Sequence, residues 1–257
     1  MDQRSLLDTA TAGARAAGGL LLERFGGPAE GVSTKSTPTD LVSDADRDSE
    51  SLLIDLIARS RPDDGVLSEE GGGRESSSGL RWVIDPLDGT VNYLFGIPQW
   101  CVSVAVEDDE GWVAGAVFDP NRDEMFSATR GGGAHLNDER ISVSDRADLA
   151  TALIGTGFSY DVRVREVQAQ VAARTLTRVR DIRRAGSAAL DLAWVACGRL
   201  DGMYEADMNA WDRAAGELLI TEAGGVISPL APPFGDSQGL VASGPRLHDG
   251  LRALVLE

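Results

Sequence analysis

The chain has 257 residues, with 41 acidic against 24 basic side chains and a formal net charge of −17. Such a surplus disfavours direct contact with nucleic acid or with an anionic membrane surface, since both need Lys and Arg to neutralise phosphates. Hydrophobic residues make up 42%, and no apolar run reaches the roughly 18 residues that a membrane span requires. The opening MDQRSLLDTA carries an early acid and no apolar signal core, so a cytoplasmic protein is expected. Cys101 and Cys197 show neither CxxC nor zinc spacing and read as buried thiols in a reducing compartment.

In chain order, Ser5 to Phe25 reads as an amphipathic helix stopped by Gly26, Gly27 and Pro28. Residues 32–39 are a polar loop that carries Lys35. Ser43 is a candidate cap for a second helix, with Leu52, Leu53, Leu56 and Ile57 at helical spacing until Pro62, and with Asp44, Asp46 and Asp48 near its start. Residues 65–67 form a short strand ending at Glu69 and Glu70, and GGGRESSSG after it reads as a mobile loop. Arg81 to Ile84 is a buried strand running into DPLDGT. Residues 101–106, 112–118 and 124–128 form an antiparallel meander with polar turns at 108–111 and 119–121. Strands at 153–155, 181–183, 201–206, 226–227 and 240–242 then alternate with helices at 164–179, 187–197, 211–222 and 245–255. With no linker between an N-terminal half of about 1–145 and a C-terminal half of about 146–257, we expect one domain of layered α/β sheets.

Histidine and nucleophile chemistry has little to work with. His135 and His248 are the two histidines, neither is in a metal-binding spacing, and both read as surface or loop residues. GxSxG and GxxxxGK[ST] are absent. Acid, base and metal chemistry therefore falls to carboxylates. Asp85 and Asp88 sit three apart at the end of an apolar strand, and a tight turn there can aim both, with the Leu87 carbonyl, at one point suited to Mg²⁺. A helical turn starting at Thr90 would add free N–H groups for a phosphate. A bare turn explains the hexapeptide alone equally well. A haloacid-dehalogenase reading needs DxDGT, one residue shorter than what stands here.

Five further segments decide between these readings. Asp40-to-Asp46 (DLVSDAD), Ser68-Glu69-Glu70, Trp82-to-Asn92 (WVIDPLDGTVN), Arg183-to-Leu190 (RRAGSAAL) and Trp211-to-Gly216 (WDRAAG) occur in order, with Asp119-Pro120, Arg130-to-Asn137 and Glu222-to-Gly225 between and after them. Together they resemble the inositol monophosphatase family from Lys35 to Pro245. The resemblance implies the layered αβαβα sandwich of the inositol monophosphatase and fructose-1,6-bisphosphatase type. It departs from the family in Tyr93, Val91 and Ser68, where Phe, Thr and Gly are usual.

The roles it implies follow residue by residue. Glu70, Asp85 and the Leu87 carbonyl would hold one Mg²⁺; Asp85, Asp88 and Asp212 a second; and Glu70 would touch a third, so about two to three ions are expected. Asp46 and Thr90 would orient and deprotonate the attacking water. Asp88, Asp212 and the backbone N–H groups of Gly89 and Thr90 would face the phosphate. Glu205, seven residues before Asp212, would bind a polyol hydroxyl, with Arg183 and the backbone of Ala188 lining the same pocket and Lys35 on a loop near the metals. The expected activity is Mg²⁺-dependent hydrolysis of inositol monophosphate or a related small phosphorylated metabolite. Histidinol phosphate, fructose-1,6-bisphosphate or nucleotide phosphates are alternatives in the same family, and a metal- and phosphate-binding interaction protein without turnover is an alternative of another class. A homodimer and sensitivity to lithium are further implications of the resemblance.

Overall fold

The computed structural model describes residues 2–28, 30–35, 41–230 and 238–257. Asp40, which opens the first motif, lies outside them. The first half runs α1 (Gln3–Arg24), β1 (Ser33–Thr34), β2 (Leu41–Val42), α2 (Asp44–Ser60), β3 (Gly65–Ser68), β4 (Gly73–Arg74), β5 (Arg81–Asp88) and α3 (Thr90–Leu94). It continues through β6 (Cys101–Asp108), β7 (Gly111–Asp119), β8 (Glu124–Thr129), β9 (Gly133–Leu136) and β10 (Glu139–Arg140). The second half holds β11 (Leu153–Thr156), α4 (Val162–Leu176), β12 (Asp181–Arg183), α5 (Ala188–Ala196), β13 (Gly202–Ala206), α6 (Ala210–Glu222), β14 (Val226–Pro229), β15 (Gly239–Ser243) and α7 (Pro245–Leu256).

Strands β3 to β10 make one eight-stranded sheet in the order β10-β9-β8-β7-β6-β5-β3-β4, and the later strands make a five-stranded sheet in the order β12-β11-β13-β15-β14. Three apolar clusters separate five layers. Leu6, Ala10, Ala14 and Leu21 of α1, with Leu53 and Ile57 of α2, pack on Trp82, Ile84, Val104 and Val106 of the large sheet. The other face of that sheet, with Val83, Ala105 and Val117, meets the apolar helices α5 and α6, which also cover Met203 and Ala242 of the small sheet. The far face of the small sheet, with Ile154, Tyr204 and Val241, is closed by Val171 of α4 and Leu251 and Leu254 of α7. The result is the expected αβαβα sandwich. The alternation of inward residues on each strand supplies both faces of a doubly covered sheet. Among the described residues no helix is long and apolar enough to cross a membrane.

Three local expectations change. The GGGRESSSG stretch is tied down: β4 pairs antiparallel with β3, and the Arg74 guanidinium donates to the carbonyls of Asp64 and Arg61 at 2.7 and 2.6 Å. His248 is buried in α7, between the hydroxyls of Ser228 and Ser243 at 2.8 and 3.2 Å. His135 lies in β9, not in a loop.

Candidate active site

The sequence IDPLDGT forms a bulged strand and not a turn. Asp85 pairs with Ser103 and Asp88 with Cys101, so β5 carries one residue more than β6 across this interval. Residues three apart on a regular strand point to opposite faces; the inserted residue turns both carboxylates toward the same side. Pro86 sits in the bulge, where no ladder N–H is needed, and its carbonyl accepts from the Ser49 hydroxyl of α2 at 2.7 Å. Gly89 follows with φ +98°, and a Cβ there would lie 2.9 Å from the Gln99 carbonyl oxygen, so glycine is required before α3.

Three helix N-termini place the other groups. In α2, the Ser43 N–H and hydroxyl donate to Oδ2 of Asp46 at 2.8 and 2.6 Å, a capping box in which Asp46 is the N3 residue. The remaining oxygen of this fully buried carboxylate accepts from the Thr90 hydroxyl at 2.9 Å, and the same hydroxyl is 3.1 Å from the Leu87 carbonyl. In α6, Asp212 is again the N3 residue, and its Oδ2 accepts the Asn209 N–H at 2.5 Å. In α5, the N-terminus receives Asp88: Ser187 Oγ donates at 2.6 Å and the N–H groups of Ala189 and Ala188 at 2.8 and 3.3 Å. Asp88 thus joins the large sheet to the helix layer, and the helix dipole favours its charge.

The acids are crowded. Burial raises Asp85 well above the ordinary carboxylate range, and the charges of Glu69, Asp88 and Asp212 add to it. Asp85 Oδ1 accepts the Leu87 N–H at 3.0 Å, whereas Oδ2 is buried without a donor. Burial pushes Asp88 up to about 6 against the opposing bonds from Ser187 and Ala189, with the charge of Glu69 also raising it. Asp212 is raised well above its ordinary value by burial, then by Glu69 and Asp88. Glu205 is pushed up to about 7 by burial and the charge of Asp88, while Arg184 opposes the shift.

Glu69 is the glutamate whose charge acts on Asp85, Asp88 and Asp212. Sequence reading gave that place to its neighbour Glu70. The register explains the difference: Ser68 pairs with Ile84 in the parallel β3–β5 ladder, so one step further sets Glu69 beside Asp85. Glu70 is pushed up to about 7 by burial, and by the charges of Glu69 and Asp46, although a bond from Lys35 lowers it. The Lys35 ammonium lies 2.8 Å from Glu69 and 2.5 Å from Glu70. Burial works against that ammonium, but the two carboxylates outweigh it and hold the amine above its ordinary value. Arg183 is on the edge strand β12, exposed, and donates to Asp181 of the same strand at 2.6 Å. Arg184, the next residue, is the cation felt by Glu205. Nothing in the sequence distinguished these two arginines.

The donors fit a hard cation: carboxylates and one carbonyl, no sulfur or imidazole, and an orphaned buried oxygen on Asp85. Among the described residues no three His, Cys, Asp or Glu side chains stand in a ready metal-binding cluster. The acids share one electrostatic neighbourhood, with Lys35 as the cation on Glu69 and Glu70.

Bulged acidic strand, helix-capping carboxylates and five-layered sandwich define a class of phosphatase, and residues 2–257 match the model of the inositol monophosphatase family. The chain belongs to that family. It is similar to the inositol-1-monophosphatase SuhB of Mycobacterium tuberculosis, 45% identical over 245 residues covering 91% of this chain and 84% of that one. The Nus factor SuhB of Xylella fastidiosa is 41% identical, covering 96% and 86%. The crystal structure of extragenic suppressor protein suhB from Bartonella henselae superposes with a TM-score of 0.91 at 35% identity, covering 97% of this chain and 98% of that one.

Proposed function

We propose that the protein is a Mg²⁺-dependent phosphomonoesterase that hydrolyses inositol monophosphate or a closely related polyol phosphate by direct attack of water. The observation that carries this reading is the Thr90–Asp46 hydrogen bond at 2.9 Å beside the Asp85–Asp88 bulge. The helix cap uses only Oδ2 of Asp46; Oδ1 faces the Thr90 hydroxyl, where a proton acceptor serves turnover rather than binding alone.

Glu69, Asp85, the Leu87 carbonyl, Asp88 and Asp212 would hold the metal, with Glu70 next to them. Bound Mg²⁺ offsets the crowding of these acids, attracts a phosphate dianion and makes a water acidic. The rest is done by the chain. The Thr90 hydroxyl orients the water and passes its proton to Oδ1 of Asp46; Oδ2 is already engaged by two bonds from Ser43, which fix the carboxylate's direction. No covalent phospho-enzyme is needed. The Gly89 and Thr90 backbone N–H groups would offer the phosphate a cradle at the start of α3. Glu205, half-buried with the charge of Arg184 opposing its upward shift, suits the hydroxyls of the leaving group.

Phosphate release from inositol-1-phosphate, histidinol phosphate, fructose-1,6-bisphosphate and 3′-phosphoadenosine phosphate, each with Mg²⁺ and with excess EDTA, tests the reading. Inositol-1-phosphate is expected to turn over fastest and only with Mg²⁺; robust turnover in EDTA refutes it. The Nus-factor name of the Xylella relative supports a second role in a macromolecular assembly, and the net charge of −17 turns that role toward protein partners rather than bare nucleic acid. Co-purification with a purified Nus factor tests it.

A further inference from the structure

Strands β12, β11 and β13 run parallel, so their C-terminal ends share one edge of the small sheet. From that edge β12 leads into α5 and β13 into α6. The first turns of these two helices carry the N–H groups that receive Asp88 and the site acid Asp212. Glu205 is the penultimate residue of β13 and so stands at the same edge. Met203 faces α5 and α6, whereas Tyr204 faces α4 and α7. Alternation along the strand therefore turns Glu205 toward the helix layer that holds Asp88 and Asp212. Glu205 and Asp212 are both partly open to solvent there.

The parallel register sets Thr156 of β11 beside Tyr204 of β13, and one step further sets Gly157 beside Glu205. A Cβ at Gly157 would fall inside the van der Waals surface of Oε1, Cδ and Oε2 of Glu205, the three atoms nearest to it. The carboxylate thus rests on bare glycine backbone. Both backbones are held. On its other side β13 pairs with β15, where Glu205 stands against Leu240. Beyond Gly157, the buried Gln168 of α4 accepts the Ser159 N–H at 2.8 Å and donates to the Ala206 carbonyl at 3.2 Å. The Ser159 hydroxyl donates to Asp207, and the Arg165 guanidinium donates to the Ser159 carbonyl at 2.8 Å. These bonds clamp the loop after β11 to the loop after β13. Of the two sides of the Gly157–Glu205 contact, only the end of the glutamate side chain is free to move.

On the reading of Glu205 as the acceptor of leaving-group hydroxyls, we propose that Gly157 is a positioning residue: the side chain it lacks leaves the space in which the Glu205 carboxylate lies, and so sets where a polyol hydroxyl is received. A methyl group at Gly157 takes that space. The strand pairing and the clamp keep both backbones in place, so the carboxylate turns aside and the hydroxyls lose their acceptor. A site built to bond a hydroxyl discriminates against leaving groups that lack one, and that discrimination goes with the acceptor. The fold loses little, because what moves is the end of a flexible side chain.

The test compares kcat/KM for inositol-1-phosphate and phenyl phosphate, with Mg²⁺, in the wild type, Gly157→Ala, Glu205→Ala and the double variant, with Tm measured for each. Gly157→Ala is expected to lower the inositol-1-phosphate to phenyl phosphate ratio by about tenfold or more, the scale of a lost hydrogen bond to a charged group. Its Tm is expected to stay within about 4 °C of the wild type. In the Glu205→Ala background there is no carboxylate to displace, so adding Gly157→Ala is expected to change the ratio by less than about twofold, the non-additivity that action through Glu205 demands. A further fall of about tenfold in that background would mean that the methyl group disturbs the loop itself, and would overturn the assignment. If Glu205→Ala lowers the ratio and Gly157→Ala leaves it within about twofold of the wild type, the assignment of Gly157 is wrong and the proposed function stands. If the wild type with Mg²⁺ hydrolyses phenyl phosphate but no polyol phosphate, the functional reading fails and the role of Gly157 falls with it.

Discussion

Replacing Asp46 with Asn separates the base from the scaffold that holds it. Two bonds from Ser43, at 2.8 and 2.6 Å, fall on Oδ2, and one from Thr90, at 2.9 Å, falls on Oδ1. An asparagine fits with its oxygen toward Ser43 and its amide toward Thr90, which reverses that single bond. The Thr90 hydroxyl then donates to the Leu87 carbonyl, already 3.1 Å away. Exchanging charge-assisted bonds for neutral ones costs about 1–2 kcal/mol, which for a chain of this size lowers Tm by roughly 2–8 °C. The proton acceptor, however, is gone, and losing a general base costs about 10²–10⁴-fold in kcat. The assay is phosphate release from inositol-1-phosphate, with Tm measured with and without Mg²⁺. Asp46→Asn is expected to keep the wild-type gain in Tm on adding Mg²⁺ while losing turnover. A kcat within about tenfold of the wild type would refute the role given to Asp46.

Three further outcomes follow from the geometry. Gly89→Ala combines a left-handed φ of +98° with a contact of 2.9 Å to the Gln99 carbonyl oxygen; it is expected to cost about 2–4 kcal/mol in urea unfolding. Lys35→Met removes the ammonium shared by Glu69 and Glu70 at 2.8 and 2.5 Å, so Tm in EDTA should fall and the gain in Tm on adding Mg²⁺ should grow. Glu70 and Glu205, raised from 4.5 to about 7 by burial first, hold protons in the fold that they release when unfolded. Their raised values favour the fold below about 4.5, and that advantage disappears as pH rises to 7, so stability in EDTA should fall across this window and Mg²⁺ should restore it at pH 7. A flat profile in EDTA would contradict the crowding of these acids.

Much of this was legible along the chain because local signals and tertiary demands agreed. Ser43 followed by Asp46 announces a capping box, and the apolar spacing of Leu53 and Ile57 shows which face of α2 is buried. Polar turns at 108–111 and 119–121 punctuate the meander where β6, β7 and β8 turn. The misses share one cause: they depend on how separate elements pair and pack, which no single stretch of sequence shows. Nothing local says that DPLD is a bulge inside β5 and not a turn, since Asp, Pro and Gly serve both. Glu69 and Glu70 are chemically identical neighbours, and only the β3–β5 pairing distinguishes them. Asp191 looks like an ordinary acid in a helix's first turn, yet the layers packed on α5 bury it. His248 reads as a surface residue because its two serine partners come from β14 and β15.

The bond set of Asp88 has a practical meaning for engineering this scaffold. One carboxylate from β5 closes on the hydroxyl of Ser187 and the amides of Ala188 and Ala189, about a hundred residues downstream. The reaction centre is therefore a seam, stitched from both ends of the gene. Splitting the chain anywhere between those segments would leave each fragment with half the stitches, and recovered turnover on mixing would report that the seam had closed.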